Sequence, residues 1–207
     1  MLAKKLSCNQ QLDEKMLLNK LVKGDYNAFT KLYETNVRPA TNYAFKFTND
    51  IQVIEDSIHD VFVCLWNNRY KLAINYSFKG YLFKCVRTSV LRKIQQREKV
   101  VLLNDAGEED AFTFFISTEE KYIDTETHSI LKERMASVLG LLTSKQKEVI
   151  YLRFYQGLSF DEIAANMNLT TKACYKLMGR AISDLRKNSL PSWNLLLSFF
   201  ILLINFL

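Results

Sequence analysis

Glycine and proline are scarce in this 207-residue chain, with six of one and two of the other. No two glycines are adjacent, which excludes a glycine-rich phosphate loop and implies few tight turns between elements. Only two histidines and four widely separated cysteines (Cys8, Cys64, Cys85, Cys174) are present, with no C-x-x-C among them. Neither a zinc site nor a disulfide framework is expected from such spacing, and the cysteines read as core thiols in a reducing compartment. HExxH and G-x-S-x-G motifs are lacking too, so the chain is not expected to be an enzyme or to hold a cofactor. Behind Lys4 and Lys5 there is no apolar run of signal-peptide length, so a cytoplasmic location is expected. What remains is a globular composition, 48% apolar and 24% charged, with a formal charge of +6. Its length suits one large domain or two small ones.

Apolar residues recur at helical spacing and strand-type alternation is not sustained, which predicts an all-α fold. A first helix carries Leu12, Met16 and Leu18 to Val22 and stops at Gly24. A second, with Phe29, Leu32, Tyr33 and Val37 inward, is predicted to end at Pro39, which opens a third. Asp50 caps a helix with Ile54, Ile58, Val61, Phe62 and Leu65 in one stripe. After a polar and aromatic loop, Arg69 to Ser77, a long helix runs from Phe78 to Lys99 with Leu82, Val86, Val90 and Ile94 inward. From Asn104 to Glu126 there are eight acids against one lysine and little periodicity, the pattern of a linker. Helical pattern resumes at Ile130 and runs to Leu142. Thr143 with Gln146, and Ser159 with Glu162, have capping-box spacing, and a last helix runs from Thr170 to Lys187. The predicted architecture is two helical domains, residues 1–100 and 128–188, joined by an acidic linker at 101–127 and followed by an apolar tail at 189–207.

Three segments carry candidate chemistry. In Leu158 to Lys187, Asn168 stands at a tight interhelix turn that needs a left-handed residue, with Leu169 plugging it and Cys174, Met178, Ala181 and Leu185 facing inward. The opposite face offers Thr171, Lys172, Tyr175, Lys176 and Arg180, the arrangement a helix in a DNA major groove requires, where early residues reach bases and later cations hold phosphates. A plain helical hairpin with a solvated basic face is the alternative. In Phe78 to Lys99, seven cations oppose only Glu98, a local excess equal to the whole chain's formal charge. Tyr70, Tyr76, Phe78, Tyr81 and Phe83 interleave there with Lys79, Lys84 and Arg87. Such a surface can stack unpaired bases and neutralise phosphates, unless the rings are core and the cations a solvated face. In Ile54 to Trp66, Glu55, Asp56, His59 and Asp60 form an acidic outer face beside Trp66; taken alone it reads as a solvated helix face.

In that order these segments resemble a bacterial RNA polymerase sigma factor of the sigma-70 superfamily, in its extracytoplasmic-function form. The first family pattern, approximately D-x-x-x-A-E-D-x-x-Q-E-x-F-x-x-x-W, is met by Glu55, Asp56, Asp60, Phe62 and Trp66, with His59 in place of glutamine. The second, F-x-x-W-L-F-x-x-A-R-N, is met by the segment from Phe78, where Tyr81 replaces tryptophan and Thr88 asparagine. In the helix-turn-helix, Asn168 stands where glycine is common and Cys174 where valine is. The resemblance implies that Glu55, Asp56, His59, Asp60 and Trp66 dock on core RNA polymerase, and that Tyr76, Phe78, Lys79, Tyr81, Lys84 and Arg87 meet a melted −10 element. Thr171, Lys172, Tyr175, Lys176 and Arg180 would read a −35 duplex. It further implies an inhibitory anti-sigma factor and no small-molecule substrate. A repressor or activator with a helical sensing domain, and a membrane-attached adaptor, are the competing classes. The tail from Ser192 to Leu207, helical, would span about 24 Å of a ~30 Å hydrocarbon core. A full span is not expected; the open alternatives are burial on the protein, on a partner or in a membrane surface, the first two favoured.

Overall fold

The computed structural model describes residues 13–72, 77–101, 112–113 and 139–188. The chain divides into two compact units, Met1–Glu108 and Glu109–Leu207. The described residues contain helices and no strand.

In the first unit a helix over residues 13–22 (α1) ends where Gly24 adopts φ +86°, a left-handed turn that lets Asp25 N–H reach the Lys20 carbonyl at 3.1 Å. Asp25 then caps α2 (Tyr26–Ala44), accepting from the backbone N–H groups of Asn27 and Ala28. The helix does not break at Pro39 as its sequence predicts, but continues for five more residues. Proline removes the donor that the Thr35 carbonyl would use, at a cost of about 3 kcal/mol in a helix interior. Thr35 is exposed, so that carbonyl can be hydrated, while Ala40, Tyr43 and Ala44 just beyond are completely buried and hold the last turns in place.

Asp50 caps α3 (Ile51–Asn67), and the predicted stripe of Ile54, Ile58, Val61, Phe62 and Leu65 is buried. A short 3₁₀ turn, Arg69–Lys71, follows. Helix α4 (Phe78–Val101) starts with a long-range cap, the Glu14 carboxylate of α1 accepting from Phe78 N–H at 2.6 Å. Gly80 N–H donates to the Ser77 hydroxyl in the same turn. Helices α2, α3 and α4 enclose a core in which Tyr43 stacks on Phe83 at 4.8 Å and meets Phe47 edge-on. Phe78, Leu82, Phe83, Val86 and Val90 of α4 are all fully buried in it.

In the second unit both predicted capping boxes form, Thr143 with Gln146 opening α5 (Ser144–Ile150) and Ser159 with Glu162 opening α6 (Phe160–Met167). Between them, α5 widens into a π-helical turn at Tyr151–Tyr155, closed by Gln156 N–H on the Tyr151 carbonyl. Helix α7 (Thr171–Asn188) lies across α5 and α6, and the Gln146 side chain ties α5 to it by donating to Asp184 at 2.8 Å. Asn168 takes φ 54° and ψ 43° at the α6–α7 turn, the left-handed geometry its position demands. Cys174, Met178, Ala181 and Leu185 face the core as expected. From the acidic segment Phe112 is buried against the Tyr151 ring at 5.8 Å. The tail at 189–207 and most of residues 102–138 lie outside the described residues.

Candidate nucleic-acid and partner interfaces

Along α3, Glu55, Asp56, His59 and Asp60 are all exposed, opposite the buried stripe. Three of the four divide between two neighbours. Asp60 points to α4, where the Lys93 ammonium lies 2.7 Å from its carboxylate. That hydrogen bond holds the Asp60 carboxyl below the usual aspartate range. Asp50 is held low as well, first by the Val53 N–H that it caps and then by Arg97, with which it pairs. Two of the seven cations counted on α4 therefore face acids of α3 and its cap, and the outward positive field of α4 is weaker than its composition implies.

Glu55 and His59 instead border a groove of about 550 Å³ between α2 and α3. Its apolar lining includes Phe29, Tyr33, Val37, Ile58, Phe62 and Trp66. Phe29, Tyr33 and Val37 were expected to be core; Tyr33 is exposed at 40%, its ring edge-on to Phe62 at 4.7 Å. Trp66 packs against Phe29 at 5.1 Å and Tyr26 at 5.8 Å, and the Arg69 guanidinium sits 4.3 Å from its ring centre. Arg69 also donates to the Trp66 carbonyl at 2.7 Å, so the cation fixes this aromatic end from both sides. The sequence signal for the groove was an aromatic face too wide for one helix contact: Tyr26, Phe29 and Tyr33 on α2 opposite Phe62 and Trp66 on α3.

The six candidates around α4 separate sharply. Tyr76 lies outside the described residues. Phe78 is completely buried, which corrects its assignment as a direct nucleic-acid contact because no ring face is displayed, and Arg87 is largely buried. Their positions at the start and middle of a helix packed on two others leave them on its inner side. Lys79, Tyr81 and Lys84 remain at or near the surface, with Lys79 5.9 Å from the Phe83 ring centre. Half-buried Tyr81 hydrogen-bonds with the Cys85 thiol, and burial pushes its phenol up to about 12. The phenol is therefore neutral near pH 7, its proton engaged by the Cys85 sulfur and its oxygen left to accept a hydrogen bond.

On α7, Lys172, Tyr175, Lys176 and Arg180 are all exposed. At 1.5 Å per residue the three cations rise about 12 Å along one face, roughly the reach of a few phosphates. Thr171 donates its hydroxyl to Asp161 at 2.8 Å, so it has an acceptor oxygen and a methyl left to offer. Tyr175 does not swing freely, because its ring packs on Phe160 at 4.1 Å. On the other side of that turn Arg153 stands 5.2 Å from the Phe160 ring and donates to the Leu158 carbonyl at 2.9 Å. Phe160 and Arg153 were not among the predicted site residues; their role depends on the π turn and the Gly157 loop, which helical periodicity does not reveal. Among the described residues no cluster of His, Cys, Asp or Glu suits a metal ion, and no helix is long and apolar enough to cross a membrane.

Residues 32–100 match the family described as Sigma-70 region 2, and residues 132–185 match Sigma-70, region 4. Among curated relatives, an RNA polymerase sigma-28 factor of Bacillus thuringiensis subsp. kurstaki is 26% identical, covering 82% of this chain and 78% of that protein. RNA polymerase sigma factor YlaC of Bacillus subtilis (strain 168) is 22% identical over 78% of this chain and 91% of its own. Two solved structures share the fold with a TM-score of 0.56. CnrH, in complex with the cytosolic domain of CnrY, is 22% identical and covers 84% of this chain and 96% of its own. The sigma factor RpoE of Bartonella quintana, in complex with the anti-sigma factor NepR, is 17% identical, with coverage of 77% and 94%.

Proposed function

The chain belongs to the sigma-70 family, as a sigma factor that directs core RNA polymerase to promoters, and from this premise we propose which of its surfaces does what. Helix α3 docks on polymerase through Glu55, Asp56 and His59 and the aromatic groove ending at Trp66, while Asp60 is shared with Lys93 and sets the α3–α4 spacing. Lys79, Tyr81 and Lys84, with Tyr76 ahead of them, face the −10 strand once it is unpaired. Phe78 and Arg87 hold that helix from inside. The exposed row of Lys172, Tyr175, Lys176 and Arg180 on α7 reads the −35 element as duplex, with Thr171 at its leading edge. The observation that carries this assignment is the left-handed Asn168 turn, which presents α7 with its cations outward and its apolar residues in the core.

No bond is made or broken by the chain in this mechanism. Fixing duplex DNA with one unit leaves the other to bind bases already out of the stack, and each captured base offsets an unstacking cost of a few kcal/mol. Melting is then favoured because the open strand is the better ligand. An anti-sigma protein is the proposed inhibitory partner, since the RpoE relative is in complex with the anti-sigma factor NepR, with the cytoplasm as the site of action and the apolar tail covered by protein.

Reversing charge on the α3 face separates docking from folding. The double variant Glu55→Lys, Asp56→Lys changes exposed side chains with no hydrogen bond across the unit. The expected result, read by titrating the chain into labelled core polymerase at low salt, is at least a tenfold loss of affinity with an unchanged melting temperature. Undiminished binding would remove α3 from the interface.

A further inference from the structure

Tyr175 keeps 58% of its surface exposed, yet its ring lies on that of Phe160, with centroids 4.1 Å apart and planes tilted by 31°. Phe160 is the first residue of α6, and its place is fixed from several directions. The Ser159 capping box sets the start of α6, with Ser159 N–H donating to the Glu162 carboxylate at 2.7 Å. The Thr171 hydroxyl, donating to Asp161 at 2.8 Å, ties the first turn of α7 to the residue after Phe160. On the α5 side the π turn is followed by Gly157 at φ +70°, and the chain returns so that Leu158 N–H reaches the Leu152 carbonyl at 3.0 Å. Arg153, within that turn, donates to the Leu158 carbonyl at 2.9 Å and holds its guanidinium 5.2 Å from the Phe160 ring centre. The platform under Tyr175 is thus built from α5, α6 and the start of α7 before any ligand is present.

We propose that Phe160 is a positioning residue for sequence discrimination: it orients the Tyr175 ring in advance, so that the ring meets a base edge in the major groove already in place. This rests on the assignment of α7 to a −35 duplex. Cations attract phosphates whatever the sequence, whereas a ring discriminates only if its edge is held where a particular base pair presents its own. A tyrosine free to change rotamer loses that freedom at each matching site; one stacked beforehand has less to lose. Phe160 therefore acts through Tyr175 on the preference for one sequence, and leaves phosphate binding by Lys172, Lys176 and Arg180 untouched.

The test uses the full chain bound to core RNA polymerase. Upstream duplexes are selected from a randomised pool, and the probes are a selected duplex and a shuffled one of the same composition. Phe160→Ala is expected to lower affinity for the selected duplex by about 2- to 12-fold, the range for an aromatic pair, with shuffled-duplex affinity and the salt slope unchanged. Phe160→Leu, which keeps apolar cover without a ring, should lose the same preference, and Phe160→Tyr should retain it, with circular dichroism showing each unit folded. In a Tyr175→Ala background, Phe160→Ala should have no further effect. Equal losses on both duplexes, losses that add to those of Tyr175→Ala, or full preference in Phe160→Leu would overturn the proposal. Lys176→Ala separates this failure from failure of the underlying assignment. If it weakens duplex binding while the Phe160 variants do not, the platform alone is refuted; if none of them alters binding to the selected duplex, both are.

Discussion

Phe78→Ala is expected to lower the stability of the first unit by about 3–5 kcal/mol, the range for removing a large ring from a packed core. Phe78 is completely buried at the start of α4, and its backbone N–H is the donor held by Glu14. Truncation therefore leaves a cavity where the long-range cap joins α1 to α4. For a unit of this size each kcal/mol moves the midpoint by about 4–8 °C, so a fall of at least 12 °C is expected, at ~3 kcal/mol and above. Had Phe78 been a stacking platform for bases, the same substitution would impair promoter melting and leave the midpoint in place. Thermal unfolding, followed beside permanganate reactivity of promoter thymines at a temperature where the variant is folded, distinguishes the two.

The second large effect is expected on α7. Lys176→Ala removes an exposed cation from the middle of the row formed with Lys172 and Arg180, and no packing goes with it. If Lys176 reads a base, duplex affinity should fall by about 1–3 kcal/mol, roughly 5- to 150-fold, and only for templates carrying that base. If it holds a phosphate, affinity should fall on all sequences alike and the slope of log K against log salt should decrease by about one. Arg180→Ala, further along the helix, is expected to behave in the second way. Capture of a pre-melted −10 strand should be unaltered in both variants. Full retention of −35 affinity in both would remove α7 from the duplex interface.

Which parts of this structure were legible in the sequence follows from how local their causes are. The α3 stripe, the Asp50 cap, both capping boxes and the left-handed Asn168 turn are set by residues within one or two turns of each other, and all are present. Pro39 was read by its local effect alone. The burial that carries α2 past it comes from Tyr43 meeting Phe83, forty residues away in the chain. Charge counting on α4 failed for a similar reason, because Lys93 and Arg97 are matched by acids on another helix. Alternating aromatics and cations on α4 could not say which rings faced inward, and the packed helix settled it for Phe78. The aromatic groove beside Glu55 and His59 was not read from the sequence, where helical periodicity placed Phe29, Tyr33 and Val37 inward as core.

The most direct measurement combines core RNA polymerase, the purified chain and a library of upstream sequences in one transcription assay, with polymerase retention scored alongside. The expected result is co-purification with polymerase and starts that depend on the chain, at templates sharing two sequence blocks, with permanganate-reactive thymines in the downstream block. A chain that ignores polymerase at low salt, yet binds duplex DNA tightly by itself without melting it, would contradict the central claim.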